Sequence, residues 1–204
     1  IDIDLWDSQR GSVDLDQLKG RVCYGGLDLS ASADLTAWVL LFPRDDDPDE
    51  IDVLARFWCP EARLNDPGNR YADQYRVWKD EGWLTTTPEA VIDLERVREA
   101  IAEDMARFRV ASVNLDVFQG YYAMSAQMID ELGEANVARF VPSFKNYGSP
   151  MVELSRRLLG RKVHHGGNPI LRWMADNLEV RQAPDGSLKP VKPRRSPARA
   201  RSTG

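Results

Sequence analysis

The 204-residue chain contains no apolar run approaching the roughly 20 residues of a membrane-spanning helix, and only two cysteines, Cys23 and Cys59. A membrane protein and a secreted disulfide scaffold are thereby excluded as readings, and a soluble, intracellular protein is expected. Both cysteines sit in apolar stretches of strand character, which predicts buried, reduced thiols. The two histidines are adjacent, His164 and His165, with no cysteine–histidine spacing that would build a structural zinc site. A glycine-rich loop closing on Gly-Lys-Ser/Thr is also missing, so nothing in the chain predicts its own ATP hydrolysis. The opening residues, Ile1 to Asp7, alternate with acids and lack the basic and apolar parts of an export signal. With no initial methionine, residues 1–20 read as an extended lead-in from something upstream.

What is present is an ordinary globular composition, 43% hydrophobic and 29% charged, enough for one domain with a sizeable core. The net charge of -5 is unevenly spread. Lys189, Lys192, Arg194, Arg195, Arg199 and Arg201 stand in a tail without acids, so the body is strongly acidic. Such a body still suits a nucleic-acid enzyme that keeps carboxylates in its cleft and draws backbone affinity from a local basic surface.

Val22–Leu29, Thr36–Phe42 and Ile51–Trp58 read as strands, with Arg44 to Asp49 as a solvated hairpin loop. Helices are expected over 70–80 and, from the spacing of Leu94, Val97, Ile101, Met105 and Phe108, over 94–108. A strand over 109–116, a helix over 120–132 and a strand over 137–141 follow. Ser149-Pro150 reads as the cap and first turn of a helix reaching Leu159, and Asn168-Pro169 repeats that logic. Pro184-Asp185-Gly186 marks a hairpin between 178–182 and 187–191. The tryptophans fall mostly in apolar segments and read as core. The whole is an α/β pattern.

Asp28 and Asp116 each stand at the polar end of a predicted strand. If those strands are neighbours, the two carboxylates converge on a hard divalent cation, for which oxygen donors are the natural ligands. Metal held there activates water and neutralises charge at a phosphate. Ser30 reads as a turn former or a water or phosphate contact. His164 and His165 read as structural or surface residues.

The ordered set Cys23-Tyr24-Gly25-Gly26-Leu27-Asp28-Leu29-Ser30, Asp34-Leu35-Thr36-Ala37, Trp78-Lys79-Asp80-Glu81-Gly82-Trp83-Leu84, Asn168-Pro169-Ile170-Leu171-Arg172-Trp173-Met174 and Lys189-Pro190 resembles the C-terminal nuclease domain of the large terminase subunit of tailed bacteriophages. The resemblance spans nearly the whole chain. It implies a ribonuclease-H-like mixed sheet flanked by helices, and an endonuclease that cuts concatemeric double-stranded DNA during genome packaging with two Mg2+ or Mn2+ ions. Asp28 and Asp116 correspond to the first and second catalytic aspartates. Asp34 is either a further metal ligand or a turn-forming carboxylate. Lys145, Arg156, Arg157, Lys189, Lys192, Arg194 and Arg195 are candidate DNA contacts.

The implied organisation is a lead-in over 1–20 from an ATPase domain, a nuclease domain over 21–188, and a basic, flexible, truncated or altered tail over 189–204. The implied partners are that ATPase domain, a small terminase subunit and a portal protein, in the cytoplasm of a bacterial host. One departure stands out: Thr203 falls where the family carries a third metal-binding aspartate. Asp34 or Asp185 would have to compensate, or the chain is a catalytically impaired DNA-binding or motor-assembly module.

Overall fold

The computed structural model describes residues 1–30, 34–116 and 121–191, with backbone only over 121–123. Three β-rich runs form an antiparallel meander, β1 (Val22–Asp28), β2 (Thr36–Pro43) and β3 (Ile51–Pro60). β5 (Arg109–Asp116) then adds parallel to β1, and β6 (Val137–Phe140) parallel to β5. On the other side β4 (Leu84–Thr87) joins β3 in parallel, while the short β7 (Val163–His164) pairs with the start of β3. The resulting mixed sheet runs β4-β3-β2-β1-β5-β6. A separate hairpin, β8 (Glu179–Gln182) and β9 (Leu188–Val191), turns at the Asp-Gly pair as expected.

Side-chain alternation assigns the two faces. Cys23 and Leu27 on β1, Trp38, Leu40 and Phe42 on β2, and Val113 and Leu115 on β5 point to one face and are buried. α4 (Leu94–Arg107) covers them with Val97 and Ile101, and α5 (Tyr121–Leu132) with Met124 and Met128. Asp93 caps α4, its carboxylate accepting from the main-chain N–H groups of Glu95 and Arg96. The opposite face is covered over β2, β3 and β4 by α3 (Ala72–Asp80), which buries Tyr75 and Trp78, and by α7 (Pro169–Asp176), which buries Ile170. The thiols of Cys23 and Cys59 are free and buried, and burial pushes them up to about 12 and about 11.

Gly25 is required by packing. A Cβ there would stand 2.5 Å from the Trp38 ring and 3.1 Å from Val113, in a part of the core where neither can retreat. Gly25→Ala is expected to cost about 1–3 kcal/mol of stability by overpacking, measurable by urea denaturation; Gly26→Ala, with open space at its Cβ, is the control.

Two local expectations are corrected. The lead-in is not extended: α1 (Ile3–Asp7) and α2 (Leu15–Leu18) are capped by Asp2 and Asp14 and bury Trp6 and Leu18 against the body. Two of the acids that masked any apolar period there, Asp2 and Asp14, are the caps. The helix expected from Ser149 begins earlier, as α6 (Phe144–Leu159), because the Ser143 hydroxyl accepts the Asn146 N–H at 3.2 Å and caps the chain at that point. Pro150 lies inside it, where its helical φ is accommodated at the loss of one main-chain hydrogen bond. The Arg44–Asp49 loop is a hairpin connection held by ion pairs: Arg44 binds Glu50 and Asp52 on the β3 side, Lys162 binds Asp47, and Arg156 binds Asp49.

Candidate active site

β1 and β5 run parallel with Leu27 opposite Leu115, so the next residue on each, Asp28 and Asp116, ends its strand beside the other. Adjacent strands stand about 4.8 Å apart. Because Leu27 and Leu115 face the α4–α5 core, both aspartates face the other side of the sheet. Their outer cross-strand neighbours are Ala37 on β2 and Phe140 on β6. Ala37 and the nearby Gly26 present little bulk, leaving room in front of the acids. Asp28 is exposed and Asp116 half-buried. Two like charges so placed repel, which favours a cation between them.

α6 starts four residues after Phe140 and brings Tyr147 to the same place. The Tyr147 ring stands edge-on to Phe140, centroids 4.9 Å apart. Burial, then the charges of Asp116 and Asp28, raise its phenol above the ordinary 10, which places the ring within electrostatic reach of both acids. Tyr147 carries no motif or spacing that marks it in the sequence.

Asp34 is exposed, and its N–H donates to the Ser30 hydroxyl at 3.1 Å. The Ser30 N–H donates to Thr36 Oγ1 at 3.0 Å, so hydroxyls tie this turn. The Asp34 charge is felt by Tyr75 on α3, whose phenol is pushed up to about 12, chiefly by burial. Asp185 accepts the Ser187 N–H at 2.9 Å within the β8–β9 turn. Among the described residues no group of three or more His, Cys, Asp or Glu converges as a metal cage. The Asp28–Asp116 pair offers an oxygen-only donor set that fits one hard divalent cation, the remaining positions being open to water.

The candidate DNA contacts separate. Lys145 is exposed in the first turn of α6, and Lys189 Nζ donates to the Pro142 carbonyl at 3.1 Å beside it. Arg156 and Arg157 lie nine residues or more beyond Tyr147, about 14 Å along the helix axis. Arg156 bridges Glu153 and Asp49, and Arg157 binds Glu153 and the Asp49 carbonyl. These arginines therefore fasten α6 to the β2–β3 loop at the opposite end of the sheet. Lys192, Arg194, Arg195 and Thr203 lie outside the described residues.

His164 and His165 also belong to that far end. His164 Nε2 is 3.1 Å from Glu50 Oε2. His165 is buried, stacked on Trp6 at 4.3 Å, with Nε2 2.9 Å from the Trp6 carbonyl. Burial holds the His165 imidazole below its ordinary 6.5. The folded state therefore refuses a proton that the unfolded chain takes up below that pH, and stability falls as pH drops through this window. Comparing melting temperatures between about pH 7.5 and 5.5 is expected to show a steeper acid loss in the parent protein than in His165→Gln. Asp52, held below its ordinary 3.8 because Arg44 and Arg21 outweigh its burial, loses its contribution only at lower pH, so the windows separate. Equal slopes in both proteins would dismiss the histidine's part.

Among the described residues no helix is long and apolar enough to cross a membrane. The family model described as the terminase large subunit, endonuclease domain, matches residues 1–198. The terminase large subunit of Enterobacteria phage HK97 is 34% identical over 170 residues, covering 83% of this chain and 33% of that protein. Protein YmfN of Escherichia coli K12 is 28% identical over 196 residues, covering 92% of this chain and 42% of its own length. The crystal structure of the HK97 bacteriophage large terminase superposes with a TM-score of 0.78 at 30% identity, over 93% of this chain and 38% of that one. The chain thus spans less than half the length of each of these relatives. Matching family, sequence and fold together, it belongs to the endonuclease-domain family of the bacteriophage DNA-packaging terminase large subunits.

Proposed function

We propose that the chain is a metal-dependent endonuclease domain that cuts concatemeric double-stranded DNA, with Asp28 and Asp116 as its catalytic carboxylates. The observation that carries this reading is their placement on one face at the ends of adjacent parallel strands. The pair supplies negative charge and oxygen donors where a phosphodiester must approach. A Mg2+ or Mn2+ ion bound there would activate the attacking water and neutralise the phosphate. A second ion calls for another oxygen donor, from Asp34 or from the segment beyond Val191. Ala37 and Gly26 keep the approach unobstructed. Lys145 in the first turn of α6 and Lys189 at the Pro142 carbonyl, with Lys192, Arg194 and Arg195 of the tail, bind the DNA backbone without reading sequence. Arg156 and Arg157 serve chiefly to anchor α6. In the packaging machinery the domain works with an ATPase domain, a small terminase subunit and a portal protein, in the bacterial cytoplasm.

A second reading, a DNA-binding or motor-assembly module with impaired catalysis, is motivated by Thr203 standing where the resembled family carries a third aspartate and by the basic residues of the tail. Supercoiled plasmid incubated with Mn2+, Mg2+ or a chelator distinguishes the two. Nicking that needs metal supports the nuclease. Persistent absence of nicking alongside salt-sensitive duplex binding supports the second reading. Exclusive cleavage of RNA–DNA hybrid would count against a packaging role.

A further inference from the structure

Resting on the endonuclease reading, we propose that Tyr147 is a catalytic residue whose hydroxyl donates a hydrogen bond to a non-bridging oxygen of the scissile phosphate held before Asp28 and Asp116. Three features place it there. Phe140, opposite Asp116 in the β5–β6 ladder, fixes the Tyr147 ring by an edge contact at 4.9 Å. The early start of α6, set by the Ser143 cap, carries Tyr147 into its first turn and over the strand ends. Burial and, after it, the charges of Asp116 and Asp28 raise its phenol above the ordinary 10.

The phenol is suited to this task. Half-buried and near two acids, it stays protonated at neutral pH and remains a donor, as a phosphate oxygen requires. A neutral donor also adds no charge that would compete with a cation for the acids. Its rigid ring, packed on Phe140, loses little freedom on engaging a ligand, in contrast to the exposed Lys145 nearby.

The test compares the parent protein with Tyr147→Phe, which keeps the ring and its packing on Phe140. Four quantities are read: melting temperature, Ca2+ affinity by calorimetry without DNA, affinity for a short fluorescent duplex in Ca2+, and single-turnover nicking in Mn2+. Unchanged melting temperature and Ca2+ affinity are expected, with nicking slowed about tenfold or more and duplex affinity in Ca2+ weakened severalfold, the size of losing one hydrogen bond to a charged oxygen. A variant equal to the parent in both nicking and duplex affinity would overturn the proposal. So would a fall in Ca2+ affinity without DNA, because the hydroxyl would then be holding a carboxylate. If the parent protein nicks nothing in any metal, the endonuclease reading fails. The duplex comparison in Ca2+ still decides whether Tyr147 touches a phosphate, a severalfold loss supporting it and equality rejecting it.

Discussion

Replacing Asp104 with alanine is expected to remove about 3–5 kcal/mol of folding stability. Asp104 projects from α4 into the covered face of the sheet and is 1% exposed. Its carboxylate accepts Arg56 Nε at 2.7 Å and Nη2 at 2.6 Å, and Trp38 Nε1 at 3.2 Å. Arg56 and Trp38 are cross-strand partners on β3 and β2, so one side chain ties a helix to two strands. Truncation strands the indole N–H, which by itself costs about 1–3 kcal/mol when left unsatisfied, and leaves the guanidinium without its counter-ion. The Arg56 side chain is 36% exposed, so water relieves part of that second penalty. The total therefore belongs toward the lower end of the range.

Asp104→Asn retains an acceptor for Trp38 and should fall between alanine and the parent. Adding Arg56→Met to Asp104→Ala should recover part of the loss, since no unpaired cation then remains. Chemical denaturation of these proteins, with Arg56→Met alone completing the double-mutant cycle, measures the coupling. A loss under about 1 kcal/mol for Asp104→Ala would show that the network merely fills space.

Asp28→Asn and Asp116→Asn are each expected to lower Mn2+-dependent nicking by about a thousandfold, with little change in melting temperature. The amide keeps the size of the side chain and one oxygen, so the sheet should be unaffected, and relief of repulsion between adjacent carboxylates is expected to give a slight gain in stability. What is lost is a full negative charge facing the place where, on the proposed endonuclease reading, a divalent cation and a phosphate meet. As the two acids act as one unit, the double variant should be scarcely slower than either single one. Single-turnover nicking of supercoiled plasmid measures all three proteins. Losses that simply multiply would mean that the residues act independently, and retained activity in either single variant would remove that aspartate from the site.

Much of the architecture is legible along the chain because it is decided by neighbours a few residues apart. Alternation over Val22–Asp28 and Arg109–Asp116, the helical spacing of Leu94, Val97 and Ile101, the Asn168-Pro169 start and the Asp185-Gly186 turn all report local geometry, and each element forms close to where it is expected. The position of Asp28 and Asp116 at strand ends is of this kind. So is the resemblance of the motif around Asp28 to the terminase nucleases.

Other features depend on partners far away in sequence. That β1 lies between β2 and β5, which brings two strand-end acids side by side, follows from burial of Leu27 and Leu115 on a shared face and is not marked at either aspartate. Ser149-Pro150 imitates a helix start so well that the preceding turn is hidden, and Tyr147 with it. Asp104 reads as one more charge on an amphipathic helix, and only Arg56 and Trp38, 48 and 66 residues earlier, make it a buried tie. Arg156 and Arg157 look like free phosphate ligands until folding brings Asp49 against them. Local periodicity and capping determine which elements form, since their energies arise within a turn or a pleat; which charges end up paired, buried or exposed is decided when those elements pack, because desolvation and counter-ions are supplied by residues that the chain order keeps apart.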